Sequence, residues 1–186
     1  MNKTPVDIDQ EAILLFHDLA EQRDNYARTD EKAGFTVSPE FRHRFFSLLD
    51  ALNLRLIDDR DNFFGYFLFQ ADRDLRFQLD SPTGTTFKNG RYTLYFNPYL
   101  FLQLTAEQME SAVKHEVLHI LSLHPLRTKD LKKQFSPLAV DLAMDIVVNT
   151  YLAPLPSDAV TLAVVNLQYL IRISRILCGR DSVCPE

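Results

Sequence analysis

Apolar residues recur every three to four positions over residues 7–27, with Ile8, Ala12, Leu15, Leu19 and Tyr26 near one face. That spacing predicts an amphipathic helix. A turn is expected around Thr29 to Gly34. Ser38-Pro39-Glu40 then reads as a helix start, with Ser38 as cap and Pro39 at the first helical position, where a missing N–H has no consequence. The helix should run to about Leu52 and bury Phe41, Phe45, Leu48, Leu49 and Leu52. The pattern then changes. Leu54 to Ile57 and Phe63 to Phe69 are rich in branched and aromatic residues and are expected as strands, and Leu75 to Leu79 alternates in the same sense. Thr83 to Phe87 and Tyr92 to Phe96 flank Lys88-Asn89-Gly90, a hairpin pattern, and Asn97-Pro98 closes the region. A small antiparallel sheet of three to five strands follows from this reading.

Helical spacing returns at Thr105, with Gln108 three residues on in capping-box position. That helix should end near His124, because Pro125 disfavours helical geometry in the residue before it. A basic loop, Arg127 to Lys133, is expected next. Ser136-Pro137 opens a helix through about Leu152, stopped by Pro154 and Pro156. A last amphipathic helix runs from about Ala159 to Leu177 and ends at Gly179. The fold class is therefore α+β, in a single domain over 1–186. Its helices occupy 1–52, its sheet region 53–98, its site helices 105–152 and its C-terminal helix 159–178.

Composition narrows the partners. The chain has 20 basic and 25 acidic residues, a formal net charge of -5, and no long basic run, which argues against nucleic acid as ligand. The polar, acidic N-terminus lacks the pattern of a secretory signal, and no apolar stretch is long enough to span a bilayer. A cytoplasmic protein with reduced Cys178 and Cys184 is the expectation.

The string His115-Glu116-Val117-Leu118-His119 carries the chemistry. On a helix, residues four apart lie one above the other, so two imidazoles can share one ion, usually zinc. A carboxylate between them can take a proton from water activated by that ion. At 100° per residue, His119 lies about 40° and Glu116 about 100° from His115. Met109, Val113, Val117, Ile120 and Leu121 fall on the opposite side. The helix is expected to bury its back and turn the histidines elsewhere.

A third protein ligand is needed. His124 is near in sequence, but a continuous helix would aim it about 180° away, and no glycine lies between His119 and His124 to reverse the chain. A role at the helix end, or behind a ligand, suits it better, with direct ligation as the alternative. Asp145 is the stronger third ligand: it sits mid-helix in Ala143-Met-Asp-Ile-Val-Val-Asn149, and an ionised Asp in an apolar stretch is rare unless paired or bound to metal. Asn149, one turn on, could orient Asp145 or meet substrate. Asp141 shares that face but reads as a solvated carboxylate. Arg127 could stabilise an oxyanion, although a solvated arginine is the simpler reading. Tyr92, Tyr95 and Tyr99 could do the same, although three tyrosines beside an aromatic-rich strand suit core and rim. His17 and His43 have surface or packing roles.

Several linked motifs resemble one known family. Asn89-Gly90-Arg91 is followed by Leu94-Tyr95-Phe96-Asn97-Pro98, then Leu104-Thr105-Ala106-Glu107-Gln108, the His-Glu-Val-Leu-His string, His124-Pro125-Leu126-Arg127, and Ala143-x-Asp145-x-x-x-Asn149. In this order, over roughly Thr83 to Leu152, they are similar to the putative metallopeptidase domain of bacterial proteins, which often precedes a von Willebrand factor A-like domain. The resemblance implies a zincin-like fold, zinc held by His115, His119 and a third group, Glu116 as catalytic glutamate, and Asp145 at the family's acidic position. A von Willebrand factor A-like domain or protein is the implied partner. The chain is expected to depart from the family after about Pro156.

The function expected is zinc-dependent hydrolysis of peptide bonds in a peptide or protein substrate, with Glu116 as general base. The extended substrate would add to an exposed sheet edge at Tyr92 to Phe96. The alternatives are a metal-stabilised interaction module without turnover and, third, a zinc-dependent nuclease.

Overall fold

A computed structural model describes residues 7–28, 35–58 and 62–152. Asp7 caps the first helix, α1 (Ile8–Ala27), by accepting from the Gln10 N–H at 3.2 Å. Ser38 does the same for α2 (Pro39–Asp58), where its hydroxyl accepts from the Phe41 N–H at 3.1 Å. The faces expected of both helices are the buried ones: Ile8, Ala12, Leu15 and Leu19 on α1, and Phe41, Phe45, Leu48, Leu49 and Leu52 on α2. Arg44 ties the pair together outside the core, 2.8 Å from Glu11 and 3.3 Å from Asp18.

Two expected strands are helical instead. Leu54 to Ile57 extends α2 by more than a turn, because Leu52, Asn53 and Leu56 share its buried side. Phe63 to Phe69 forms α3 (Asn62–Gln70), which buries Gly65 and Leu68 and leaves Phe63, Tyr66 and Phe69 exposed. The burial repeats every three residues, as on a helix. Branched and aromatic content suggested strands, and packing of α3 on α2 overrode it.

Among the described residues the sheet has three strands in the order β1-β3-β2: β1 (Asp72–Leu75), β2 (Thr83–Lys88) and β3 (Arg91–Phe96). The hairpin lies where the sequence put it. Asn89 and Gly90 both take positive φ, 54° and 77°, as a two-residue turn between twisted strands requires. Thr83 opposes Phe96 and Lys88 opposes Arg91. The third strand differs from expectation in two ways. It covers Asp72–Leu75 rather than Leu75 to Leu79, and it runs parallel to β3, so the sheet is mixed rather than antiparallel. Its polar Asp-Arg-Asp-Leu sequence carries no alternation to betray it. Strand β3 is central and paired on both sides, so Tyr92 to Phe96 is not an open edge.

Asn97 ends the sheet and caps α4 (Pro98–Phe101), a turn absent from the sequence reading. Its buried amide donates to the carbonyls of Phe77 and Leu79, at 3.3 and 2.8 Å, and accepts from the Tyr99 N–H at 3.0 Å. Phe45, Phe96 and Phe101 form an aromatic core, with ring centroids 5.1 to 6.1 Å apart.

The next helix, α5 (Ala106–Leu121), is followed by α6 (His124–Gln134) and α7 (Pro137–Asn149). The expected basic loop at Arg127 to Lys133 is thus part of a helix. The chain divides into two compact units, 1–117 and 118–186, and the division falls inside the continuous α5. The first holds α1 to α4, the sheet and most of α5. In the second, α6 and α7 pack together and Lys132 Nζ meets Asp141 at 2.7 Å. The fold class is α+β, as the sequence implied. The helix expected over about 159 to 177, together with Cys178 and Cys184, lies outside the described residues. Among those described, no helix is long and apolar enough to cross a membrane.

Candidate metal centre

The site begins with the start of α5. The Thr105 hydroxyl accepts from the Gln108 N–H at 3.3 Å, and the Gln108 amide oxygen accepts from the Thr105 N–H at 2.9 Å, a reciprocal cap that fixes the first turn. Asp9 of α1 adds a carboxylate there, accepting from the Ala106 N–H at 2.7 Å. A negative group at a helix N-terminus is favoured by the unpaired N–H groups. Met109, Val113, Val117 and Ile120 are buried as their helical phase required. Leu121, placed on the same side by phase, is 46% exposed, because the helix ends there.

His115 and His119 stand one turn apart on α5, both partly buried. In the second unit, His119 Nε2 lies 3.1 Å from Asp145 Oδ1 on α7. One ligand atom each from His115, His119 and Asp145 falls within 4.8 Å of the other two. Donors about 2.0–2.1 Å from a tetrahedral zinc lie roughly 3.3 Å from one another. The His119–Asp145 separation is already of that size. Two imidazoles and a carboxylate are also a donor set suited to a borderline-soft divalent ion. The residues present therefore fit a divalent metal ion.

His124 lies elsewhere than expected from the lack of a glycine to turn the chain back. Leu123 makes the turn itself, at φ 57° and ψ 26°, in the left-handed region. Helix α5 stops, α6 starts with Pro125 in its first turn, and His124 is buried with Nδ1 2.9 Å from His119 Nδ1. It does not point away from His119.

Glu116 is buried, and the Thr83 hydroxyl at the start of β2 donates to its Oε1 at 3.0 Å. The carboxylate is thus held by a side chain from the sheet. Thr83 did not stand out in the sequence, since threonine is what any strand favours. Its pairing with Glu116 is purely tertiary.

The remaining candidates lie as follows. Asn149 is partly buried on α7, one turn beyond Asp145. Arg127 is exposed on α6. Asp141 is exposed and paired with Lys132. His17 and His43 are exposed on α1 and α2. Tyr92 packs on Phe87, with ring centroids 4.8 Å apart, and Tyr95 lies under Arg76. Tyr99 packs on Phe77 and faces Arg23; burial raises its pKa, and the Arg23 charge opposes that rise.

A family model described as a putative metallopeptidase domain matches residues 53–174, more than half of the chain. The match is wider than Thr83 to Leu152 at both ends and passes Pro156, where a departure was expected. No curated protein and no solved structure matches the chain.

Proposed function

Because the chain belongs to the putative metallopeptidase domain family, we propose that it is a zinc-dependent peptidase of zincin-like design, with the His115, His119 and Asp145 side chains holding the ion. The observation that supports this most directly is the proximity of those three donors to one another, in a chain whose buried Glu116 directly follows His115. Bound zinc would supply Lewis acidity, polarising a carbonyl and making a nearby water more acidic.

The protein's own groups do the rest. Glu116 accepts a proton from the attacking water and delivers it to the departing amine. Thr83 holds one Glu116 oxygen, which restricts how the carboxylate can turn. Burial limits the access of bulk water to it. An extended substrate would add to β2 rather than to the central β3, since β2 is an outer strand of the described sheet and begins at Thr83. Arg127 stays a solvated arginine on this reading. Asn149 is left for orientation of Asp145 or for substrate, and a von Willebrand factor A-like domain or protein remains the proposed partner.

Glu116→Gln tests the mechanism. It should retain zinc and lose peptide cleavage by about 10²-fold or more. Equal cleavage by both proteins would end the role of Glu116. Zinc binding by a wild type that cleaves no peptide would favour the interaction module instead.

A further inference from the structure

Both nitrogens of the His119 ring face a side chain within the second unit. Nε2 lies 3.1 Å from Asp145 Oδ1, and Nδ1 lies 2.9 Å from His124 Nδ1. The two rings meet edge to face, 4.9 Å apart at 72°. His124 is 4% exposed. We infer that His124 is the positioning residue of this centre: it accepts the Nδ1–H of His119 and thereby sets the tautomer and ring angle with which His119 offers Nε2. The inference rests on the metal reading proposed above.

The proton count supports it. Two facing ring nitrogens can bond only when one carries a hydrogen and the other a lone pair. A neutral His119 that presents a lone pair at Nε2 must carry its hydrogen on Nδ1. His124 then accepts at its own Nδ1 and keeps its hydrogen on Nε2. In that state a neutral His124 has no lone pair left for an ion. The same contact that brings it to the site therefore excludes it as a ligand. Metal-binding histidines commonly pass their second N–H to an outer acceptor, which fixes the ring and raises its basicity. Here the acceptor is a second imidazole.

The corner that delivers His124 carries a cost. A non-glycine residue in the left-handed region is disfavoured because its Cβ crowds the following carbonyl oxygen. Leu123 is 48% exposed, so burial of its own side chain offsets little of that. Such conformations persist where the surroundings over-determine them. What this one accomplishes is the return of His124 onto His119.

The test measures zinc affinity by competition with a chromophoric chelator, and ring tautomers by ¹⁵N-resolved NMR of the zinc-loaded full chain. His119→Ala serves as the ligand-loss control. His124→Asn keeps an acceptor oxygen near the Nδ1 position and should bind within about threefold of wild type, whereas His124→Leu should bind about 10–100-fold more weakly. His119 should be bound through Nε2 with its proton on Nδ1. Equal affinity of His124→Leu and wild type overturns the inference, as does binding of His119 through Nδ1. Losses as large as that of His119→Ala in both His124 variants would make His124 a ligand and overturn it equally. A wild type that binds no zinc defeats the metal reading itself, and this inference with it. Should His124→Leu fail to fold by circular dichroism, His124→Asn and the tautomer measurement decide.

Discussion

Thr83 and Glu116 are 33 residues apart in sequence and 3.0 Å apart in space, and their bond is the clearest lever on the proposed chemistry. A hydrogen bond to a charged acceptor contributes about 1.5–3 kcal/mol, here directed at the orientation of a base. Thr83→Val preserves shape and removes the hydroxyl. Turnover should fall about 10–100-fold with zinc affinity unchanged, and Thr83→Ser should restore most of it. Unchanged kcat in Thr83→Val would show that Glu116 needs no such support. The two kinds of site residue differ in how far the sequence revealed them. His115, Glu116 and His119 were legible because helix geometry converts their spacing directly into proximity. Asp145 was legible because a carboxylate in an apolar helix needs a reason. Thr83 and His124 were not. One depends on a sheet residue meeting a distant helix, the other on a leucine adopting a backbone conformation that sequence rules reserve for glycine.

Among the elements, α3 shows how close packing can choose a helix against local composition. A Cβ added at Gly65 would lie 2.5 Å from Ile57 Cγ1 and 3.1 Å from both the carbonyl oxygen and Oδ1 of Asn53. The two helices approach at a position where only glycine fits. Gly65→Ala gains about 1 kcal/mol of helix propensity, but overpacking costs about 1–3 kcal/mol, and the first neighbour is a branched carbon near its own backbone. The net expectation is destabilisation on the order of 1 kcal/mol, read as a lower denaturation midpoint with an unchanged slope. An unchanged midpoint would mean that α2 and α3 can separate without loss. The Phe-rich run was misread as a strand because short apolar segments do not declare their period. The hairpin and the capped starts of α2 and α5 were read correctly, since each is specified by a few adjacent side chains.

For the chain as a whole, a bound ion should act as a stabiliser in its own right. A ligand that binds only the folded state adds RT ln(1 + [L]/Kd), about 2.7 kcal/mol at a hundred times Kd. Zinc-loaded protein should therefore melt several degrees above chelated protein, and the difference should vanish in His119→Ala. A chelator-insensitive melting temperature in the wild type would count against a site linked to folding. Fold class was legible at this scale because helical and strand-like periodicities occupy separate stretches. The parallel pairing of β1 was not, because a four-residue strand with three charged side chains shows no apolar alternation.

The carboxylate of Asp9 on the Ala106 N–H bears on where a minimal fragment can begin. The matched family region starts at residue 53, which omits α1 and most of α2. A fragment cut at that boundary would keep both histidines, Glu116 and Asp145, yet lose Asp9 from the first turn of the helix that carries the motif. It would also uncover the side of the aromatic core that Phe41 and Phe45 complete. The motif and the scaffold that supports it therefore have different boundaries in this protein, and a fragment beginning at residue 53 should unfold at a lower temperature than the full chain.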